Sequence, residues 1–447
     1  MEINKALNSD SFPSTVDKLN FVDHISKFLG LAVSQLYLLC ALITCYEVIS
    51  RYVFDAPTQW AFETVMVLCA SAWMLSAGYI TLHKRHIGIT VIYIMVDKAK
   101  QWYLDLFAYV IGIIALWMFV DDTLVRAIES VMMVERAGSA WNSPQPLILK
   151  TMLVTGATVY LTQLLVNLYR HFDSKVAKNI ISGVAAFIIF RIILVFFEHA
   201  FELKGVIAIN EHLSSIAAYL EPTKYVDIRD IGIKWASILI VSLMILLMMT
   251  GMPLGIVTLF VSILSALFYF GFNGLYLVST NAFGLLEAYP LIAVPLFVLM
   301  ASILEKAGVA EDLFDAMQIF AGKLRGGVAI QTIVVAVILA AMSGVMGGEI
   351  VMLGLVALPQ MMRLGYNRKL AIGVVCASGA LATLIPPSII MIVYGLSANV
   401  AIGDLFMAGA VPGLMLATFY AIFTLIRCYI NPSLAPNAEE VAAARGK

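Results

Sequence analysis

The sequence predicts an all-α polytopic membrane protein, and three observations predict it. Of 447 residues, 61% are hydrophobic and only 13% charged, with mean hydropathy +0.93, a balance foreign to soluble globular domains. Apolar runs close to the roughly 20 residues needed to span a bilayer recur along the chain. Between Gly326 and Ser397 two of these runs are interrupted, first by Ser343-Gly344-Val345-Met346-Gly347-Gly348-Glu349 and then by Leu384-Ile385-Pro386-Pro387-Ser388. A formal net charge of -1 gives no basis for nucleic-acid binding.

Residues 1–27 are polar, and the first apolar run exceeds a signal-peptide core, so it is expected to be a retained span. Spans are predicted near 28–50, 60–82, 102–120 and 146–169. Lys84, Arg85, Lys98 and Lys100 follow the second, and Arg170, His171, Lys175 and Lys178 follow the fourth, so both loops are assigned to the cytoplasm. That places the N-terminus inside and the segment 121–146 outside, with 86–96 lying at the interface. A fifth span near 179–197 contains Arg191, expected to pair with a neighbouring helix or a lipid headgroup. Glu63 is read likewise, as packing against a partner helix.

Glu198 to Lys234 forms a mixed-charge outer loop and a module boundary. Spans near 233–250 and 254–273 follow, joined by Thr250-Gly251-Met252-Pro253, then one from 288 to 304. Leu313, Phe314 and Met317 recur at helical spacing in 309–322, predicting an amphipathic surface helix. A last span near 405–429 precedes a polar cytoplasmic tail. The five cysteines, Cys40, Cys45, Cys69, Cys376 and Cys428, lie within or beside spans without a C-x-x-C, and read as small buried fillers rather than metal ligands or disulfides.

The interrupted region is the informative one. Gly327 to Met342 and Glu349 to Met362 are each too short to cross, while the whole run read as one helix would be about 54 Å long, against a hydrocarbon core of about 30 Å. Lys323 and Arg325 precede it, and Arg363, Arg368 and Lys369 follow it, so both ends belong to one side: a re-entrant hairpin. Its first arm points unsatisfied carbonyls at the tip, favouring a cation. Its second points N–H groups there, favouring an anion. Leu370 to Ser397 would likewise be about 42 Å long if wholly helical, and Pro386-Pro387 removes two donors from its middle. Irregular backbone at membrane depth is tolerated where protein or a wet cavity satisfies it, and such broken helices build the sites of secondary transporters. The alternative is a proline kink and a packed glycine turn.

Beyond residue 233 the crossings are odd in number, so a duplicated copy would insert upside down, as in inverted-repeat transporters; only one copy is visible. At these residues the sequence resembles the tripartite ATP-independent periplasmic (TRAP) transporters. Residues 22–171 resemble the small four-helix subunit through Arg51-Tyr52-Val53-Phe54, Trp60 with Glu63, and His86-Ile87. Residues 235–430 resemble the N-terminal half of the large subunit through Gly251-Met252-Pro253, Ile292-Ala293-Val294-Pro295-Leu296-Phe297, Gly322-Lys323-Leu324-Arg325-Gly326-Gly327, Gly365-Tyr366, Ile385-Pro386-Pro387-Ser388, Leu405-Phe406-Met407-Ala408-Gly409 and Pro412-Gly413.

The resemblance divides the chain into a small-subunit-like scaffold (1–176), a linking helix and outer loop (177–232), the first repeat of an inverted-repeat elevator module (233–431) and a tail (432–447). It implies a multi-pass component of a bacterial inner membrane, with both termini cytoplasmic. A periplasmic substrate-binding protein would deliver a small organic anion, often a carboxylate, and sodium entry would drive an elevator motion. By the match Ser343, Gly344, Thr383, Pro386, Pro387 and Ser388 fall at ion- or substrate-lining positions, with Ser343, Gly344 and Thr383 as sodium ligands. Gly347, Gly348 and Glu349 complete the candidate set, though the tip departs from the family's small hydroxyl and alanine residues.

The second large-subunit repeat is expected on a separate membrane chain, or else the reading frame is truncated. Glu349 is either a coupling carboxylate or a favourable first-turn acid. The rival readings are a non-transporting scaffold, a channel and an intramembrane hydrolase. The hydrolase lacks a base, since the six histidines (His24, His83, His86, His171, His199, His212) lie in loops or at span edges.

Overall fold

A computed structural model describes residues 20–201, 231–321 and 324–436, so the first residues, most of the outer loop and the end of the tail lie outside the described residues. The described chain is helical, without a β-strand, and eight of its helices are long and apolar enough to cross a bilayer. It divides into two compact units, Met1–Glu287 and Ala288–Lys447.

In the first unit α1 (Phe21–Val53), α2 (Ala61–Leu82), α4 (Lys98–Met132) and α5 (Gln145–His171) supply the four predicted spans, with the short α3 (Val91–Met95) between them. A Cβ on Gly156 would lie 2.5 Å from Met74 O, so α2 and α5 meet backbone to backbone, as small residues permit between membrane helices. α6 (Lys175–Phe201) follows, then α7 (Ile233–Met249), α8 (Leu254–Phe270) and α9 (Leu275–Leu286). Leu116, Val120, Leu149 and Leu161 share one apolar cluster with Leu247, Met252, Ile256 and Val257, so α7 and α8 are part of this body. The turn before α8 is tied to the loop after α2 by Leu254 N donating to Ile87 O at 2.9 Å.

Three features differ from the sequence expectation. α4 runs to Met132, so Asp121, Asp122 and Arg126 are helical rather than in a loop. Their charges are met within the fold: Arg126 bonds Asp122 at 3.2 Å one turn away and lies 3.9 Å over the Tyr276 ring, while Asp121 pairs with Arg191 of α6 at 3.4 Å. α9 was not anticipated; its residues follow Gly271–Gly274, a 3-10 turn, and pack on α4 and α8. Cys45 and Cys376 are exposed, whereas Cys40, Cys69 and Cys428 are buried fillers; an outward helix face in lipid tolerates a small thiol as well as a core does.

A buried polar knot fastens α1 to α5. Asp23 is wholly buried and accepts from Arg170, from Gln163 Nε2 at 3.0 Å and from Asn20 N at 2.7 Å, while Ser26 Oγ donates to Gln163 Oε1 at 2.8 Å. Glu63, also buried, accepts from Ser143 Oγ.

The second unit contains α10 (Ala293–Lys306), α11 (Val309–Ala321), α12 (Gly327–Ser343), α13 (Met346–Arg363), α14 (Arg368–Gly379), α15 (Ile389–Ala398) and α16 (Ile402–Ile430). α11 is the expected amphipathic helix, laying Phe314, Leu313 and Met317 onto the core formed by α12 and α13. The core itself is made of small and branched residues such as Ala329, Val335, Ala336, Ala340, Leu353 and Ala357, which allow the helices to approach closely.

Two outcomes follow from the first unit. Arg170→Ala leaves the buried Asp23 carboxylate without its cation and is expected to lower unfolding stability by about 3–5 kcal/mol. Lys150→Ala, whose partner Glu135 is 40% exposed, is expected to cost at most about 1 kcal/mol in the same thermal melt. His86, half-buried and stacked on Tyr160, is held below the ordinary imidazole range by desolvation. The stability it contributes is therefore present above about pH 6.5 and lost as pH falls through its depressed folded value. A pH series of melting temperatures is expected to show this acid-side loss in the wild type and a smaller one in His86→Phe.

Candidate ion and substrate site

The hairpin is closed at its base and tight at its tip. Gly365 has φ +82°, which turns the chain after α13 so that the Tyr366 hydroxyl accepts from Val328 N at 3.2 Å, the first turn of α12. The two ends of the hairpin thus lie together. At the tip only Gly344 and Val345 are non-helical. Gly344 caps α12 in the left-handed region (φ +62°), and α13 resumes at Met346. The sequence interval assigned to the tip is therefore shorter in the fold: Gly347, Gly348 and Glu349 belong to the first turn of α13.

The broken helix is divided as its prolines dictate. α14 ends at Gly379, a 3-10 turn covers Ala380–Thr383, and α15 begins after a cis Pro386-Pro387 bond with Ser388 as N-cap. Ser388 Oγ, fully buried, donates to Thr383 O at 2.9 Å, and Thr383 Oγ1 donates to Ala380 O at 2.8 Å. Both hydroxyls use their protons on backbone carbonyls and keep lone pairs for an electropositive ligand.

The two breaks meet. Ile389 N donates to Gly344 O at 3.5 Å, and a Cβ on Gly344 would stand 2.1 Å from Pro387 O. Only glycine permits this approach. The C-terminal end of α12 and the N-terminal ends of α13 and α15 thereby come to one place, bringing free carbonyls and free N–H groups together.

Of the nominated residues, Ser343, Gly344, Glu349, Pro387 and Ser388 are assembled here, with Thr383 and Pro386 one contact away. Gly347 and Gly348 are exposed, with open space where a Cβ would go. Glu349 is only 1% exposed. Its Oε1 accepts from Ser343 Oγ at 2.5 Å, and its Oε2 has no partner among the described residues. That pairing was not legible from spacing, because the six-residue separation spans a helix end, a turn and a helix start. No Arg or Lys occurs from Gly326 to Met362 or from Leu370 to Ser397.

Fold and site define a multi-pass, all-α membrane protein built on a re-entrant hairpin and a broken helix. Residues 40–174 match the profile of the tripartite ATP-independent periplasmic transporters, DctQ component, and residues 241–445 that of the tripartite ATP-independent periplasmic transporter, DctM component. The chain belongs to this family, as a membrane component in which a DctQ-type part is fused to a DctM-type part.

Among its relatives, the C4-dicarboxylate TRAP transporter large permease protein DctM of Rhodobacter capsulatus is 34% identical over 42% of this chain and 46% of its own length. The ectoine TRAP transporter large permease protein TeaC of Halomonas elongata is 35% identical over 43% of this chain and 45% of its own length. The sialic acid TRAP transporter large permease protein SiaM of Vibrio cholerae is 30% identical over 41% and 42%, respectively. The chain thus spans under half the length of these relatives.

Gly344→Ala is expected to push the hairpin tip off Pro387, combining a forbidden contact with a strained φ, at a cost of about 1–3 kcal/mol. Faster amide hydrogen exchange at 340–346 is the check. Gly347→Ala, helical and facing open space, is expected to leave exchange unchanged or slower.

Proposed function

We propose that the chain is a membrane component of a sodium-coupled, binding-protein-dependent secondary transporter. It imports a small organic anion, a carboxylate, across the bacterial inner membrane, with both termini on the cytoplasmic side. The observation carrying this reading is the meeting of the hairpin tip with the Pro386-Pro387 break, which gathers helix ends of both polarities without a single Lys or Arg. A cation is held by carbonyls at the end of α12 and by the hydroxyls of Ser343 and Thr383, beside Gly344. The carboxylate of the solute is met by N–H groups at the starts of α13 and α15, beside Pro386, Pro387 and Ser388. The named solutes of the relatives, C4-dicarboxylate, ectoine and sialic acid, support a small polar organic molecule.

The hairpin-bearing unit moves as an elevator relative to a scaffold that includes the small-subunit-like helices. A periplasmic substrate-binding protein delivers the solute, and a second membrane chain carries the complementary repeat. Odd crossing parity supports the need for a complementary repeat of opposite orientation.

Proteoliposomes holding this chain, its co-purifying membrane chain and the binding protein are expected to accumulate solute only under an inward sodium gradient. Ser343→Ala and Thr383→Ala are each expected to raise the sodium concentration for half-maximal uptake by about tenfold, the loss of roughly one charge-assisted ligand. Uptake that persists when choline replaces sodium defeats the coupling. Uptake by this chain with no second membrane chain present defeats the shared-repeat reading.

A further inference from the structure

The second unit has a cavity of about 460 Å³ that none of the candidate ion- and substrate-site residues lines. It lies where α14 starts and α16 stops. Asn367, the N-cap of α14, donates its N–H to Leu434 O at 3.0 Å, which ties the start of α14 to the segment following α16. Lys369 in the first turn of α14 and Arg427 in the last turn of α16 both line the cavity, and they form its mouth. Inward of them the lining is apolar, with Leu370 and Val374 of α14, Phe423 of α16 and Ile333 of α12. Lys369 and Ser378, nine positions apart on α14, both belong to the lining, so the slot runs about 13.5 Å along that helix. Gly373 keeps it open, since a Cβ there would meet only empty space.

Basic residues at the end of a membrane span are ordinary, and on their own they are simply solvated. Here neither Lys369 nor Arg427 forms an ion pair or a side-chain hydrogen bond among the described residues. No Asp or Glu among those residues lines the cavity. Uncompensated positive charge therefore opens onto a long apolar slot. A free anion would use only the mouth of such a site, whereas an amphiphile with an anionic head would use all of it.

We infer that this slot binds an acidic phospholipid, with the phosphate at the mouth and part of one acyl chain along Leu370, Val374 and Phe423. The planar guanidinium of Arg427 suits two phosphate oxygens at once, and Lys369 acts as a point charge beside it. The start of α14 adds its partial positive charge at the same place. Basic pockets between membrane helices recognise anionic headgroups by this combination. The inference goes beyond the proposed function and depends on neither the solute nor sodium coupling, so transport assays and the lipid test fail independently.

The test is native mass spectrometry of the delipidated chain, alone and with its co-purifying membrane chain. Dioleoylphosphatidylglycerol is the probe, with dioleoylphosphatidylcholine and inorganic phosphate as controls. The wild type is expected to retain phosphatidylglycerol in both samples, at concentrations where phosphatidylcholine is lost and millimolar phosphate does not compete. Lys369→Gln and Arg427→Gln are each expected to weaken retention about fivefold, and the double variant about twenty-five-fold. Gly373→Leu fills the slot but leaves both charges, and it too is expected to lose the lipid. All three positions are exposed, so melting temperatures without lipid are expected to match the wild type. Equal retention of phosphatidylcholine overturns the charge recognition and the proposal with it. Displacement by inorganic phosphate overturns the lipid in favour of a soluble anion. Unchanged retention in Gly373→Leu overturns the slot, leaving a basic surface. Lipid bound by the chain alone but expelled by the second membrane chain also overturns the proposal, the slot then being a seam between chains.

Discussion

Backbone that leaves helical geometry in apolar surroundings must still place its N–H and C=O groups, and this requirement shapes the second unit. The hairpin tip cannot satisfy itself, because Gly344 and Val345 break the ladder between α12 and α13. The proline pair cannot satisfy itself either, since it supplies no donors. The two breaks are joined by one bond, Ile389 N reaching Gly344 O, while within the second break Ser388 Oγ reaches back to Thr383 O. The same contact explains why Gly344 must be glycine and why α15 starts where it does. Tyr366 serves the opposite end, giving the start of α12 an acceptor for Val328 N.

The two units treat charge differently, and the difference separates structural acids from the candidate functional one. In the first unit Asp23, Glu47, Asp121, Asp122 and Glu135 each face a cation: Arg170, Arg51, Arg191, Arg126 and Lys150. Asp23–Arg170 and Asp121–Arg191 join different helices, whereas Glu47–Arg51 and Asp122–Arg126 lie one turn apart on a single helix. Glu63 departs from the pattern but meets Ser143 at the loop before α5. Glu349 alone among the buried acids of the second unit has a hydroxyl and nothing more, which is why its burial is informative where that of Asp23 is not.

Much of this architecture was legible in the sequence because its signals are global. Span lengths, the basic flanks of the hairpin and the two interruptions are set by bilayer thickness and by the geometry of Gly and Pro, and neither depends on packing detail. What could not be read depends on long-range partners. The helical continuation of α4 through Asp121, Asp122 and Arg126 looked like a polar loop, because Ser279, Tyr276 and Arg191, which make those charges tolerable, are 65 or more positions away. α9 was hidden by the Gly271–Gly274 turn. The extent of the tip was overestimated because Gly347 and Gly348 signal a loop by composition, yet lie in the first helical turn of α13, where glycine is tolerated at modest cost.

The electrostatics of the site then reduce to a comparison of magnitudes. With Lys and Arg absent from both breaks, the fixed field at the tip comes from helix ends, each equivalent to about half an elementary charge and opposed in sign between α12 and the pair α13 and α15. These contributions partly cancel. An ionised Glu349 adds a full unit at the same place, in a setting where water does little screening. A carboxyl at that position therefore counts for more than the helix ends, and Ser343 is the side chain bonded to it.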